Sequence, residues 1–155
     1  MIKIGGFRMN REPAFEVFNQ ILKGEHMAIE TYQSYIDSLP NIHLRNHLVA
    51  IMTDHKAHAS RISYYIQTNG GTVEEGTGLA GLATKWSAKM MNLGENEPQH
   101  MLEKLYSGED RGLARAVQLS EDNLNKEEQE VLAPIFSDEH DHLKQLLMLK
   151  EDLIH

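Results

Sequence analysis

Apolar residues recur every three or four positions through most of this chain, and the pattern breaks at only a few points. After a loose leader, residues 1–10, helical spacing sets in with Asn10 as the expected N-cap and Pro13 in the first turn. Pro40 stops it, so a first helix is expected over 11–39. Asn41 caps a second, expected over 41–69 and closed by Gly70 and Gly71. The very short turn between the two makes them antiparallel. Residues 70–97 read as a long crossover. It opens with the loop-like GGTVEEGTG, and Leu79, Leu82, Trp86, Met90 and Leu93 then stand near helical spacing, which predicts a short helix over 79–93 ended by Gly94. Asn96 and Pro98 open a third long helix, 98–121. Asn125 followed by Glu128 has the form of a capping box for a fourth, 126–153, in which Pro134 is expected to kink the helix or detach its first turns. No stretch alternates with the period of a strand. The expected fold is all-α: one domain over 1–155, a four-helix bundle of two antiparallel hairpins joined by the crossover.

Composition narrows the setting. The chain has 155 residues, 41% hydrophobic and 25% charged, enough for one domain with a true core. Its net charge of −8 and the lack of a basic patch argue against a nucleic-acid partner. The absence of Cys removes disulfides, thiolate catalysis and Cys-ligated zinc or iron from consideration. No apolar run reaches membrane-span length and MIKIGGFRMN lacks the form of a signal peptide, so the expectation is a cytoplasmic protein with no membrane partner.

Candidate chemistry enters through a repeat. Residues 51–58 read IMTDHKAH and residues 135–142 read IFSDEHDH. Upstream of the first copy LKGE ends at Glu25, and upstream of the second LYSGE ends at Glu109. Glu25 precedes His58 by 33 residues, Glu109 precedes His142 by the same 33, and the two halves are offset by 84. Each hairpin therefore carries a Gly-Glu on its first helix and an Asp-x-x-x-His on its second. Two such hairpins packed with approximate two-fold symmetry bring these groups to one level of the bundle.

Helical neighbours say which way the groups face. Glu25 shares a face with Ile21, Leu22, Ala28, Ile29 and Tyr32; Glu109 with Leu105, Tyr106, Leu113 and Ala116. Glu139 lies among Ile135, Phe136, Leu143 and Leu146, and His55 among Ile51, Met52, Ala59 and Ile62. Glu30 and Glu103, with polar neighbours, read as solvated. Burying a bare carboxylate costs several kcal/mol, on the order of the penalty for an unpaired ion, unless it is paired or bound. Three Glu and three His converging in an apolar bundle call for compensation, and a pair of divalent metals supplies it, since carboxylate oxygen and imidazole nitrogen are natural ligands of iron, manganese and zinc. Glu139 and His142 form Glu-x-x-His; three residues advance a helix by about 300° and about 4.5 Å, so both reach the same ion or adjacent ions. Asp54 and Asp138, each four residues before a His, are candidate acceptors that orient a ligand imidazole, or plain surface acids. Tyr32 and Tyr106 lie near the same level and are candidate hydrogen-bond donors, or core residues with a wet tip. His43 and His47 read as surface.

At these residues the chain resembles the ferritin-like superfamily of ferritins, bacterioferritins and rubrerythrins. GEHMAIETY, DHKAHA, SGED and DEHDH carry the resemblance, together with the separation of His58 from Gly70-Gly71, and it covers roughly residues 14–150. LEKLYSGEDRGLARA and the long crossover look like a family of small ferritin-like bacterial proteins known only as a domain of unknown function. The resemblance implies Glu25 and Glu109 as terminal carboxylates, Glu139 as a bridging carboxylate, and His58 and His142 as nitrogen ligands. His55 stands where the superfamily has the first Glu of helix two, which trades a bridging carboxylate for a neutral ligand. The implied cofactor is iron, two ions per chain, with manganese or zinc as alternatives. The implied partners are oxygen or peroxide, in a ferroxidase, peroxide-reducing or stress-related role. A mononuclear zinc or iron site using His55, and a metal-free structural or interaction bundle, remain open beside it. Whether the protein is an enzyme, a metal store or a structural element is not legible, and a homodimer through a helical face is the oligomer considered.

Overall fold

The computed structural model describes residues 11–74 and 97–155. The leader 1–10 and the expected crossover helix 79–93 lie outside the described residues. Four long α-helices account for nearly all of the rest: α1 Glu12–Ser38, α2 Ile42–Thr68, α3 Pro98–Asn123 and α4 Lys126–Ile154. Each helix packs on two others, α1 on α2 and α3, and α4 on α3 and α2, so the bundle is a square in the order α1, α2, α4, α3. This is the all-α four-helix bundle expected from the periodicity, and no strand occurs among the described residues.

The caps follow local chemistry. Asn41 accepts a hydrogen bond from the Leu44 amide at the start of α2. Asn125 and Glu128 form a reciprocal capping box at the start of α4, each side chain accepting from the other's backbone amide at 2.9 Å. The starts of α1 and α3 differ from the Asn caps expected there. Their N-cap positions fall on Arg11 and Glu97, neither of which makes a side-chain cap bond, and a proline at the head of each helix presets the first turn instead. Pro134 neither ends α4 nor detaches its first turns, because the helix runs through it. The carbonyl that loses its amide partner, that of Glu130, is on an exposed residue where water can serve it.

The end of α2 is tightly specified. Gly70 takes a φ of 88°, a left-handed conformation that suits glycine, and the Gly71 amide donates back to the Ile66 carbonyl at 2.8 Å. A Cβ at Gly71 would stand 2.8 Å from Cγ of Phe15 and 2.9 Å from Cγ2 of Ile66. Gly71→Ala is therefore expected to cost about 1–3 kcal/mol, a typical overpacking penalty, readable as a lower chemical-denaturation midpoint at unchanged m-value. Beyond this turn the buried Asn19 of α1 donates to the Thr72 carbonyl and accepts from the Glu74 amide, tying the exit from α2 to α1.

The core has two apolar clusters. One is built from Tyr35, Ile36, Leu48, Leu102 and Leu149 toward the α1–α2 turn, and the other from Phe18, Leu22, Ile62, Leu132 and Ile135 toward the α3–α4 turn. Burying each large aliphatic or aromatic side chain contributes roughly 1.5–3 kcal/mol. Between the clusters lies the layer that holds the repeated Glu and His residues, so the polar groups occupy the middle of the bundle with apolar packing above and below them.

Candidate metal centre

All four helices contribute to that layer: Glu25 and Tyr32 from α1, Asp54, His55 and His58 from α2, Glu109 from α3, and Asp138, Glu139 and His142 from α4. Glu25, His55, His58, Glu109 and His142 are buried, with His142 only 1% exposed. Glu139 is half-buried, and Asp54 and Asp138 are exposed. The six candidate ligands of the repeat, Glu25, His55, His58, Glu109, Glu139 and His142, thus meet in one place. Two overlapping groups each bring potential ligand atoms within 4.8 Å of one another: Glu25, His55, His58 and Glu139, and His55, Glu109 and His142.

The two halves of the sequence repeat arrive as two halves of the site. Nε2 of His58 lies 3.0 Å from Oδ2 of Asp138, and Nε2 of His142 lies 3.0 Å from Oδ2 of Asp54. Each aspartate thus holds the imidazole of the opposite hairpin rather than the histidine four residues on in its own helix. The crossing follows from symmetry: α2 packs on α4, and an operation that exchanges the hairpins turns one contact into the other. These bonds turn Nδ1 of each ring inward. Nδ1 of His58 stands 3.6 Å from Oε1 of Glu25, and Nδ1 of His142 stands 3.6 Å from Oε2 of Glu109. All four atoms are buried and lack a hydrogen-bond partner.

His55 breaks the symmetry, since Glu139 occupies the equivalent place in the other half. Its Nδ1 lies 2.6 Å from Oε2 of Glu25 and its Nε2 lies 2.8 Å from Oε1 of Glu109. A ring whose two nitrogens both face carboxylate oxygens must donate from both to satisfy them, which is the imidazolium form. Burial alone would lower the His55 pKa, but the two carboxylates reverse that and raise it to about 10. Burial works to raise Glu25 and Glu109 in turn, yet the histidines around them hold each at about 2. Glu139 goes the other way: burial first, and then the Glu25 charge beside it, push it up to about 9. For His58, burial acts downward and is outweighed by Glu25 and Asp138, so its pKa rises.

Tyr32 donates to Oε1 of Glu109. Burial and the Glu109 charge drive its phenol well above the ordinary range, so it stays a donor. Tyr106, the other tyrosine singled out from sequence, lies half-buried against the apolar cluster on the α1–α2 turn side. His43 is exposed, His47 half-exposed, and their rings stack edge-on at 4.8 Å, away from the layer. Sequence reasoning missed a cavity of about 610 Å³ between α1 and α3, with His55 and Glu139 among its walls. The only sequence signal for it is glycine inside long helices, at Gly24, Gly108 and Gly112.

Among the described residues no helix is long and apolar enough to cross a membrane. In comparisons with known proteins, residues 14–122 match a family model described as a domain of unknown function (DUF2383). No curated protein and no solved structure matches the chain.

Proposed function

We propose that this chain, which belongs to the DUF2383 family of unknown function, is a ferritin-like cytoplasmic protein that holds two metal ions in its bundle core. The observation that carries this reading is the pair of facing, partnerless atoms on each side of the layer. With its Nε2–H given to an aspartate, a neutral imidazole presents a lone pair at Nδ1, opposite a carboxylate oxygen. Two acceptors buried face to face need a cation between them. Two ligands each about 2.1 Å from one ion, at a roughly tetrahedral angle, stand about 3.4 Å apart, close to the gaps observed. One ion is then held by Glu25, His58 and Glu139, and the other by Glu109 and His142, with His55 turned to one of them as a neutral ligand. Asp54 and Asp138 fix the two imidazoles, as outer partners of metal-bound histidines do. Iron is the first candidate for a mixed carboxylate and imidazole site, with manganese or zinc as alternatives.

Reduced iron or manganese at such a centre supplies electrons to oxygen or peroxide. The chain's own part is to hold the carboxylates and imidazoles in place, to keep Tyr32 protonated as a donor to Glu109, and to leave an open cavity at Glu139 and His55. A second reading has its own observation. His55 bonded to both Glu25 and Glu109 supplies a cation between the two carboxylates without metal. A single ion on one side, with His55 still bonded to the other, lies between the two.

Metal-to-chain ratio separates them. After anaerobic loading with iron(II) or manganese(II), about two ions per chain are expected, as in di-metal bundles. One ion would point to the mononuclear site, and none to the ion-pair network. Glu139→Ala is expected to lose at least one ion by elemental analysis, and an unchanged ratio would remove Glu139 from the ligand set.

A further inference from the structure

We propose that the cavity between α1 and α3 binds a small amphipathic organic anion, its apolar body inside and its charged head at the rim. At about 610 Å³ the cavity falls within the roughly 300–1,000 Å³ typical of ligand pockets. Its walls are mainly aliphatic, with Ile21 and Ala28 on α1 facing Leu105, Leu113 and Leu119 on α3.

Glycine marks the same space. Gly24 lies inside α1 and Gly108 and Gly112 inside α3, where each glycine weakens a helix by about 0.5–1 kcal/mol relative to alanine. Close helix packing is the usual structural return for that cost. Yet a Cβ added at Gly24 or Gly112 meets no atom within 4 Å among the described residues. All three glycines instead line the cavity. At Gly24 and Gly112 the missing side chain leaves open volume and serves no tight helix contact among the described residues.

The cavity differs in charge between its floor and its mouth. The acids that line it, Glu25, Glu109 and Glu139, lie at its floor, where His55 bridges two of them. Of the cations that line it, half-buried Lys23 and exposed Arg115 stand at its mouth, whereas the Lys104 ammonium is buried. On a chain of net charge −8 this leaves a cationic rim over an apolar shaft. The complementary ligand carries one negative head, which the acidic floor repels and the rim attracts, and an aliphatic or aromatic body. A medium-chain carboxylate has that form. This inference does not require metal in the layer below, because Lys23 and Arg115, which would hold the head, are not candidate ligands, and neither His58 nor His142 lines the cavity.

Decanoate, with decanol as its neutral counterpart, tests the proposal by titration calorimetry on the full chain, both as purified and after chelator treatment. Saturable binding at one decanoate per chain is expected in both preparations, at least about tenfold tighter than decanol, the discrimination of one or two charge-assisted contacts. The double variant Lys23→Gln, Arg115→Gln is expected to remove that discrimination and leave decanol binding unchanged. Gly112→Leu is expected to abolish binding of both while keeping the wild-type melting temperature and metal content. Gly24→Leu, on the opposite wall, repeats this test if the first variant does not fold. Equal affinity for decanol would overturn the anionic assignment. Binding that vanishes with chelator would put the head at the metal and overturn the orientation. A marked drop in melting temperature in both leucine variants would mean that the chain itself fills the space, and would overturn the cavity as a binding site.

Discussion

A His55→Glu variant is expected to lose much of its stability when metal-free and to regain it when metal is added. In the metal-free layer His55 is the cation between Glu25 and Glu109, bonded to both. Glu139 escapes the charge problem by keeping its proton, with its pKa pushed up to about 9. Replacing His55 with Glu puts four carboxyl groups in one buried layer and removes the positive charge they share. Breaking one side of a buried ion pair costs roughly 3–5 kcal/mol. For a chain of this size each kcal/mol moves the melting temperature by about 2–4 °C, so a fall of about 6–20 °C is expected in chelator. The same substitution completes a second Glu-x-x-His on α2, ending at His58, to match Glu139 with His142 on α4, and adds a negative ligand for a divalent ion. A ligand at a hundred times its Kd adds about 2.7 kcal/mol per site, so two bound ions recover the loss. His55→Leu removes the cation without adding a ligand, so metal is expected to rescue it less than the Glu variant. Calorimetric melts of the three proteins, in chelator and in excess manganese(II), read all of this. If the Glu variant melts like the wild type in chelator, His55 is not the compensating cation.

Metal uptake by the unaltered protein is expected to strengthen steeply with pH and to release protons. Glu139 and His55, at about 9 and about 10, both hold a proton at neutral pH in the metal-free layer. A carboxylate ligand and an imidazole ligand must each give that proton up. Apparent affinity for manganese(II) should therefore rise by about one to two log units per pH unit between about pH 6.5 and 9, depending on how many of the two protons leave. Titration in buffers of different ionisation enthalpy counts them directly. A flat dependence over that range would show that metal binds without displacing either proton.

The same groups set the pH profile of the metal-free protein, with opposite signs on the two sides. Glu139 and His55 have raised folded-state values, from 4.5 to about 9 and from 6.5 to about 10. Their contribution is complete below the unfolded values and is lost as pH rises through the folded ones. Glu25 and Glu109, lowered from 4.5 to about 2, contribute above 4.5 and lose that contribution as pH falls toward 2. Metal-free stability from this layer should therefore peak just above about pH 4.5 and fall as pH rises, more steeply beyond about 6.5, and metal should move the optimum toward alkaline pH. Melting curves across pH 3–10, with and without manganese(II), check the displacement.

How much of this was legible before any coordinates follows from the range over which each signal acts. Helical period is local: residues three and four apart share a face whatever the rest of the chain does. Hence α1 to α4 were readable from their apolar stripes, and the burial of Glu25, Glu109 and His55 was readable from the company they keep on those stripes. The 84-residue offset added the pseudo-symmetry that brings two hairpins to one level. The N-caps of α1 and α3 and the proline inside α4 were harder, because a cap or a break is decided by a few tenths to a few kcal/mol that solvent or the next turn can offset. Other features are relations between helices, fixed by the rotation of each helix about its axis and by side-chain rotamers under packing. The hold of Asp138 on His58 and of Asp54 on His142 is of this kind, because an exposed aspartate looks the same in sequence whether or not it meets a ring across the bundle. So is the choice of Tyr32 over Tyr106 as the donor to Glu109, and so is the cavity that Gly24, Gly108 and Gly112 line. The charge on His55 belongs with them. Its pKa depends on two carboxylates 30 and 54 residues away, brought to its two ring nitrogens only when four helices close around one layer.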